Sequence, residues 1–260
     1  MTRILSTEMS LPLVSIVTPT YNRRRFIPTL IRMIETQTYP RDRMEWIVYD
    51  DGQEPVGDLI DEAQHRLPLT IYIRSEEKQT LGEKRNRLNR EAKGEILVAF
   101  DDDDFYFPDR VSAAVAALRS KPSVDLAGSS EIFMYFTDTK EIFKIGPYGP
   151  THATNGTMAW RKRYAAKHTY DEAVAFAEEK SFLESYKNQL IQLNPMSVML
   201  VMSHSDNTFD KSILRAAENP LIKRTTLTLK NFIKDPEVFS FFSSLWGLNT
   251  KKTQELEVFA

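Results

Sequence analysis

The sequence predicts an α/β fold, an open sheet flanked by helices and followed by a helical C-terminal tail. Short β-branched runs alternate with helix-spaced segments through the first half of the chain, and acidic or polar clusters follow the ends of several of these runs. An apolar share of 42% over 260 residues is ample for a substantial core, in one large domain with or without an appendage.

Leu13–Thr18 (LVSIVT) reads as a buried strand ended by Pro19, and Arg25–Gln37 has apolar residues near helical spacing. Glu45–Tyr49 (EWIVY) is a second strand stopping at Asp50-Asp51-Gly52, and Leu69–Arg74 a third. Leu81–Lys93 reads as a helix closed by Gly94, and Glu95–Phe100 (EILVAF) as a buried strand running into four aspartates. Pro108–Ser120 is a further helix. Val124–Ile145 turns β-rich, Gly146–Gly156 is a Gly/Pro loop, Tyr170–Leu193 reads as mainly helical, and SVMLVM before Ser203 is a late strand. Beyond Asn207 the pattern is a helical tail. Its Val238–Leu248 run is too short and interrupted to span a bilayer and suits packing on the main domain.

Composition removes several classes. With 34 basic and 36 acidic residues the net charge of −2 gives no bulk attraction to nucleic acid. The absence of cysteine excludes disulfides, thiolate metal sites and a cysteine nucleophile. Met1–Ser10 lacks an apolar leader core, and no stretch approaches the roughly 18 apolar residues of a membrane span. The expectation is a soluble cytoplasmic protein without a transmembrane segment, with peripheral membrane contact left open.

Asp101, Asp102, Asp103 and Asp104 are forced together at the mouth of a sheet. Like charges so placed raise one another's pKa unless a cation compensates, and hard carboxylate oxygens suit Mg2+ or Mn2+. The alternative is a solvated acidic turn or helix cap. Polar groups at other strand ends, Thr20-Tyr21-Asn22-Arg23 and Asp50-Asp51, favour a ligand site at the edge where strands of an open α/β sheet terminate.

Four motifs in order, PTYNR at Pro19–Arg23, DDG at Asp50–Gly52, GEKRN at Gly82–Asn86 and FDDDDFYFPDR at Phe100–Arg110, resemble the family-two glycosyltransferases of the GT-A fold. The likeness spans roughly the first 120 residues and continues more weakly to about residue 210. It implies a doubly wound, mostly parallel sheet that binds a nucleotide-sugar donor in about residues 11–120. An acceptor half would follow in about 121–207, and a helical extension in 208–260. It also implies inverting transfer to a glycan or glycoconjugate acceptor, assisted by Mn2+ or Mg2+.

Position by position, the resemblance places Thr18, Pro19, Tyr21 and Arg23 along the nucleotide and Asp50 or Asp51 on the base. It directs Lys84 and Arg85 to phosphate, although with Arg87 these could form an ordinary charged helix face. Asp101 and Asp103 become the residues of a DxD-type motif, with Asp103 the first metal ligand and Asp102 a candidate for the ribose. A run of four aspartates allows two registers.

Glu178-Glu179 stands where the family has its acidic pair, giving Glu179 as the catalytic base and Glu178 as second choice. Glutamate replaces the usual aspartate there, and both could be exposed helix positions. Asp171 and Glu172 are further candidates. Trp160, near the family's donor-sugar loop at Asn155–Trp160, either stacks on a sugar or fills the core. His204 either completes the metal site or is structural. Two rivals remain. A non-catalytic nucleotide-sugar or carbohydrate-binding module would keep the fold, whereas a sugar-phosphate nucleotidyltransferase would need a glycine-rich loop that Pro19–Arg23 lacks.

Overall fold

The computed structural model describes residues 10–174, 178–207, 211, 213–216 and 219–245. Parallel strands β1 (Val14–Thr20), β2 (Met44–Asp50), β3 (Leu69–Arg74) and β4 (Ile96–Ala99) come from the first hundred residues. The helices between them are α1 (Ile27–Glu35), α2 (Gly57–Ala63) and α3 (Leu81–Glu91). There follow β5 (Phe105–Tyr106), α4 (Arg110–Ser120), β6 (Leu126–Gly128), β7 (Ile132–Phe136) and β8 (Glu141–Ile145). Next come β9 (Ala159–Arg161), α5 (Lys162–Ala165), α6 (Glu179–Phe182), β10 (Leu190–Gln192) and β11 (Met199–Ser203). The chain closes with α7 (Ile213–Ala216), β12 (Ile222–Arg224), α8 (Leu229–Phe232) and α9 (Pro236–Ser244).

The main sheet has the order β10-β6-β9-β4-β1-β2-β3 and is parallel except at β9, which runs against β4 and β6. This is the expected α/β architecture. β1, β2 and β4 are buried along their whole length, which is why they read as unbroken apolar runs rather than as alternation. A second sheet, β12-β8-β7-β11-β5, stands beside it. The two-residue β5 leads from the aspartates into this sheet by pairing with β11.

Two local expectations need correction, residues 170–193 and the wholly helical tail, and the alternative left open at Trp160 is decided. Tyr170–Leu193 is not mainly helical. Its described residues hold only the four-residue α6 and strand β10, with Glu184, Ser185 and Tyr186 turning through left-handed backbone. Long-range pairing of β10 with β6 overrides the helical propensity of the segment. Trp160 is core: it is 1% exposed in β9 and its Nε1 donates to Asn89 Oδ1 at 3.1 Å, so it offers no face to a sugar. Beyond residue 207 the chain is helical in α7, α8 and α9 but also supplies β12, which pairs with β8.

α9 is capped by Asp235 and packs on α1, where Arg32 Nε donates to Asp235 Oδ2 at 2.9 Å and Phe241 meets Phe26 edge-on. Val238 and Phe242 are buried, as packing on the main domain requires, while Trp246 to Leu248 lie outside the described residues. No helix among the described residues is long and apolar enough to cross a membrane.

Candidate active site

Because β1, β2 and β4 are parallel neighbours, the loops after Thr20, Asp50 and Ala99 share one edge of the sheet. α3 runs alongside with a capping box in which the Thr80 hydroxyl accepts from Glu83 N–H and the Glu83 carboxylate from Thr80 N–H. Although α3 is polar in sequence, it buries Lys84, Arg85, Asn86 and Asn89. Gly82 permits this approach, since a Cβ there would lie 2.4 Å from the Asp171 carbonyl oxygen. Of Lys84, Arg85 and Arg87, Arg87 alone is an exposed surface cation, paired with Glu91 one turn along the helix.

On the β1–β2 side the candidate nucleotide residues are held mainly by the protein itself. Thr18 is buried, and its hydroxyl accepts from Trp46 Nε1 at 3.0 Å, next to buried Pro19. Asp50 accepts from Gly52 N–H, Val56 N–H and the Tyr72 hydroxyl at 2.8, 3.1 and 2.7 Å. Asp51 accepts from Gln79 N–H and from Lys84 Nζ, both at 2.7 Å, with its side chain fully buried. Lys84 also donates to the Thr20 carbonyl at 3.2 Å. Tyr21 keeps partial exposure, with the Lys78 ammonium 4.5 Å from its ring centre.

The aspartate run after β4 gathers donors from two distant loops. Asp103 Oδ2 lies 3.4 Å from Arg23 Nε, 3.3 Å from His204 Nε2 and 3.2 Å from Asn207 Nδ2. Arg23 also donates to the Asp206 carbonyl, tying the loop after β1 to the loop after β11. Phe26 stacks against the His204 ring at 4.9 Å.

Burial alone would push all these carboxyls up. Asp102 rises to about 7 through burial and the charge of Asp103, and Asp104 to about 8 chiefly through burial. Burial also raises Asp103, but hydrogen bonding from His204 and the charges of Lys211, His204 and Arg23 outweigh it and hold that carboxyl below the usual range.

The donor chemistry fits a hard divalent cation: it is oxygen-rich and fronted by one ionised carboxylate, Asp103. Among the described residues no three such side chains converge on one point. Mg2+-like ions commonly use one or two protein ligands and complete their shell from phosphate and water. His204 Nδ1 accepts from Asp206 N–H at 3.2 Å, and its Nε2 faces both Asp103 Oδ2 at 3.3 Å and Asn207 Nδ2 at 3.1 Å; a proton on Nε2 suits the Asp103 contact. A cation on Nε2 requires that proton to leave, so Asp103 is the better-prepared ligand.

Arg85 joins this run to the glutamate pair. Its Nε donates to Glu178 Oε1 at 2.8 Å and its Nη2 to Asp101 Oδ1 at 3.1 Å. In the orientation that satisfies both its neighbours, the Asn155 amide accepts from Arg85 Nη1 at 2.7 Å and donates to the Tyr170 hydroxyl at 2.7 Å. Burial lowers the Arg85 pKa, but the charges of Asp101 and Glu178 more than reverse this, so the guanidinium stays ionised. Gly156 lets Asp101 come close, a Cβ there lying 2.9 Å from Asp101 Oδ2.

Glu178 is thus buried and paired, whereas Glu179 is half-buried and has no such partner among the described residues. Burial and the neighbouring Glu178 charge push Glu179 up to about 7. Phe176 and Ala177, just before the pair, lie outside the described residues. Asp171 sits in a turn, accepting from Ala173 N–H, and Glu172 accepts from Asn86 Nδ2 at 2.9 Å.

Sequence reasoning missed Tyr170 and Asn207 as parts of this site. The Tyr170 hydroxyl faces Asn155, and its N–H and carbonyl are both held by Asn86, the last residue of GEKRN. That asparagine was the available signal, but its partner stands 84 residues away.

The architecture resembles that of solved glycosyltransferases. A mannosyltransferase of Pyrobaculum calidifontis in complex with GDP-Man and Mn2+ aligns with a TM-score of 0.62 at 17% identity, over 76% of this chain and 59% of that one. S. aureus TarS 1–349 in complex with UDP-GlcNAc aligns with a TM-score of 0.58 at 17% identity, over 95% and 71% respectively.

By sequence, an uncharacterized glycosyltransferase of Haemophilus influenzae is 30% identical over 113 residues, 44% of this chain and 37% of its own length. The chain spans less than half the length of the curated relatives it matches. The profile described as glycosyl transferase family 2 matches residues 15–178. That match takes in the strand-end aspartates, Arg85 and the first of the two glutamates, and the chain belongs to glycosyl transferase family 2.

Proposed function

We propose that this chain is an inverting glycosyltransferase. It moves a sugar from a nucleoside-diphosphate sugar, a UDP-sugar foremost, to a hydroxyl of a glycan or glycoconjugate, with Mn2+ or Mg2+ assisting. The observation that carries this reading is the Arg85 bridge, which fixes the glutamate pair within one side chain of Asp101 at the strand-end edge. A base and a donor-holding carboxylate cluster must face one reaction centre for in-line displacement, and the guanidinium ties Asp101 to Glu178, the residue next to the base. The P. calidifontis and S. aureus structures, each holding a nucleotide sugar, support the donor class.

Glu179 takes the proton of the attacking hydroxyl. A carboxyl raised to about 7 is a stronger base than an ordinary glutamate and is about half ionised at neutral pH. Glu178, pinned by Arg85, keeps its charge beside it and sustains that shift. Arg23 and Asp103 hold the diphosphate end, with Asp103 and then His204 as ligands of the ion. A divalent cation, when bound there, neutralises charge on the departing diphosphate.

The alternative, a binding module without turnover, is favoured by the β1–β2 side, where Asp50, Asp51 and Lys84 are already engaged by protein groups. Thermal shifts with UDP-, GDP-, CMP- and dTDP-sugars, each with Mn2+, Mg2+ or chelator, test both. Metal-dependent stabilisation by one nucleotide, with release of that nucleotide on incubation, supports transfer chemistry. Stabilisation without turnover leaves the module, and no shift with any nucleotide overturns the transferase reading and leaves only a carbohydrate-binding module.

A further inference from the structure

Three aromatic side chains meet on the acceptor half of the molecule, outside the site described above. The rings of Tyr148 and His152 lie 4.8 Å apart at 45°, and those of His152 and Tyr186 lie 4.6 Å apart at 29°. Tyr148, at the outer end of this row, is 46% exposed and is one of the few large exposed aromatic or aliphatic residues of the described chain.

Both segments that bring the rings together are fixed by specific contacts. Gln192, at the end of β10, donates from Nε2 to the carbonyls of Pro150 and His152, each at 3.0 Å, while its Oε1 accepts from Ser130 N–H at 2.9 Å. Tyr186 is delivered by three consecutive non-glycine residues in left-handed backbone, Glu184, Ser185 and Tyr186, with φ of 48°, 56° and 62°. Such a run is unfavourable for L-residues and persists only where the surroundings hold it. Here Ser185 N–H donates to the Lys180 carbonyl at 2.8 Å and Glu184 N–H to the Ser181 carbonyl at 3.0 Å.

The row is placed next to the proposed base. His152 precedes Asn155, the Arg85 ligand, by one short turn, and Tyr186 follows directly on α6, which Glu179 begins. Burial raises the Tyr186 hydroxyl, and Glu179 and Glu178 raise it further, so their charges reach it. Burial lowers His152 from its ordinary value, and its Nδ1 has no partner among the described residues, so the row is uncharged.

We infer that the Tyr148–His152–Tyr186 row is an acceptor subsite that takes a neutral pyranose ring beside Glu179. The electron-rich ring faces attract the weakly positive C–H face of a sugar, and the tyrosine hydroxyls remain available to its hydroxyl groups. An open-chain polyol phosphate has no such face and would bring charge to a neutral platform next to two carboxylates. The inference deepens the proposed transferase function and rests on it for the word acceptor.

Saturation-transfer NMR on the full chain, with and without UDP and Mn2+, tests it. The probes are cellobiose and N,N′-diacetylchitobiose, with ribitol 5-phosphate as the ring-free comparison. Saturation of at least one disaccharide, with none of the polyol phosphate, is expected. Tyr148→Ala should weaken that disaccharide about three- to tenfold, the worth of one aromatic contact, and Tyr148→Trp should restore it. Tyr148 is exposed, so its removal spares the fold. Tyr186→Ala should act in the same direction, and the thermal shift given by UDP with Mn2+ should be unchanged in all three variants.

The inference is overturned if neither disaccharide binds, if binding is indifferent to Tyr148→Ala, or if the polyol phosphate binds equally well. Disaccharide binding through the row with no response to any nucleotide would keep the subsite and overturn the transferase reading. Nucleotide binding with no saccharide effect would do the reverse.

Discussion

The aspartates after β4 and the glutamates at the head of α6 carry the same functional group, and the fold treats them in opposite ways. Asp103 is surrounded by Arg23, His204 and Asn207 and stays ionised, its charge shared with groups from two other loops. Glu178 is paired with Arg85, which it shares with Asp101, and Glu179 is left beside it with its carboxyl pushed up to about 7 by burial and by Glu178. One region keeps a single carboxylate, Asp103, ionised among donors while burial pushes Asp102 and Asp104 up to about 7 and 8, which suits holding a cation. The other poises a single proton acceptor near neutrality, which suits moving a proton. The difference comes from where the counter-charges stand, since the side chains themselves are nearly equivalent.

The largest effect expected is from Asp103→Asn, which should abolish both the metal-dependent stabilisation by nucleotide and all transfer, read by thermal shift and by nucleotide release. Retained metal-dependent binding would break the contrast at its first term. Glu179→Gln should lower turnover by about 10²- to 10⁴-fold while leaving the nucleotide thermal shift intact, the signature of a lost general base. Normal turnover in that variant would remove Glu179 from the mechanism.

Arg85→Met removes the one counter-charge of buried Glu178 and the tie to Asp101. A cost of about 3–5 kcal/mol in urea unfolding is expected, because a buried charge is left uncompensated.

Because Glu179 must be deprotonated to act, kcat should rise with pH and level off above about 7. The stability linkage has a definite sign: a carboxyl raised in the folded state opposes folding once it ionises. Its destabilisation is therefore absent below the ordinary glutamate pKa, grows between there and about 7, and is complete above. Glu179→Gln should accordingly raise Tm more at pH 8 than at pH 5. The smallest change expected is from Glu178→Gln, which should move the acid limb of the kcat profile to lower pH by removing the charge that helps raise Glu179.

Most of the main sheet was legible because its central strands are buried and β-branched, reading as VSIVTPT in β1 and as the unbroken apolar ILVA in β4. The aspartates were legible as a cluster because a strand must end before four carboxylates can reach solvent. α2 was not read, nor was β5, whose two residues are strand only because β11 pairs with them. The segment from Tyr170 to Leu193 was misread because its glutamates and lysines favour helix locally, while Asn86, Ser181 and β6 hold it in turns and a strand. Lys84 and Arg85 read equally well as surface charges or phosphate ligands, and they proved to be buried ties to Asp51, Asp101 and Glu178.

By itself the sequence determined the alternation of strands and helices, the edge on which the polar groups would gather, and the chemical types assembled there. Those follow from local periodicity and from the rule that parallel strands finish on the same side. The tertiary structure alone decided which carboxylate is neutralised, which is shared and which is left to take a proton. Each of those outcomes depends on a cation or hydrogen-bond donor brought from far along the chain, 80 residues for Arg23 on Asp103 and 93 for Arg85 on Glu178. Hydrogen bonds and contact ion pairs form only at about 3 Å, and only the folded path of the backbone sets those distances.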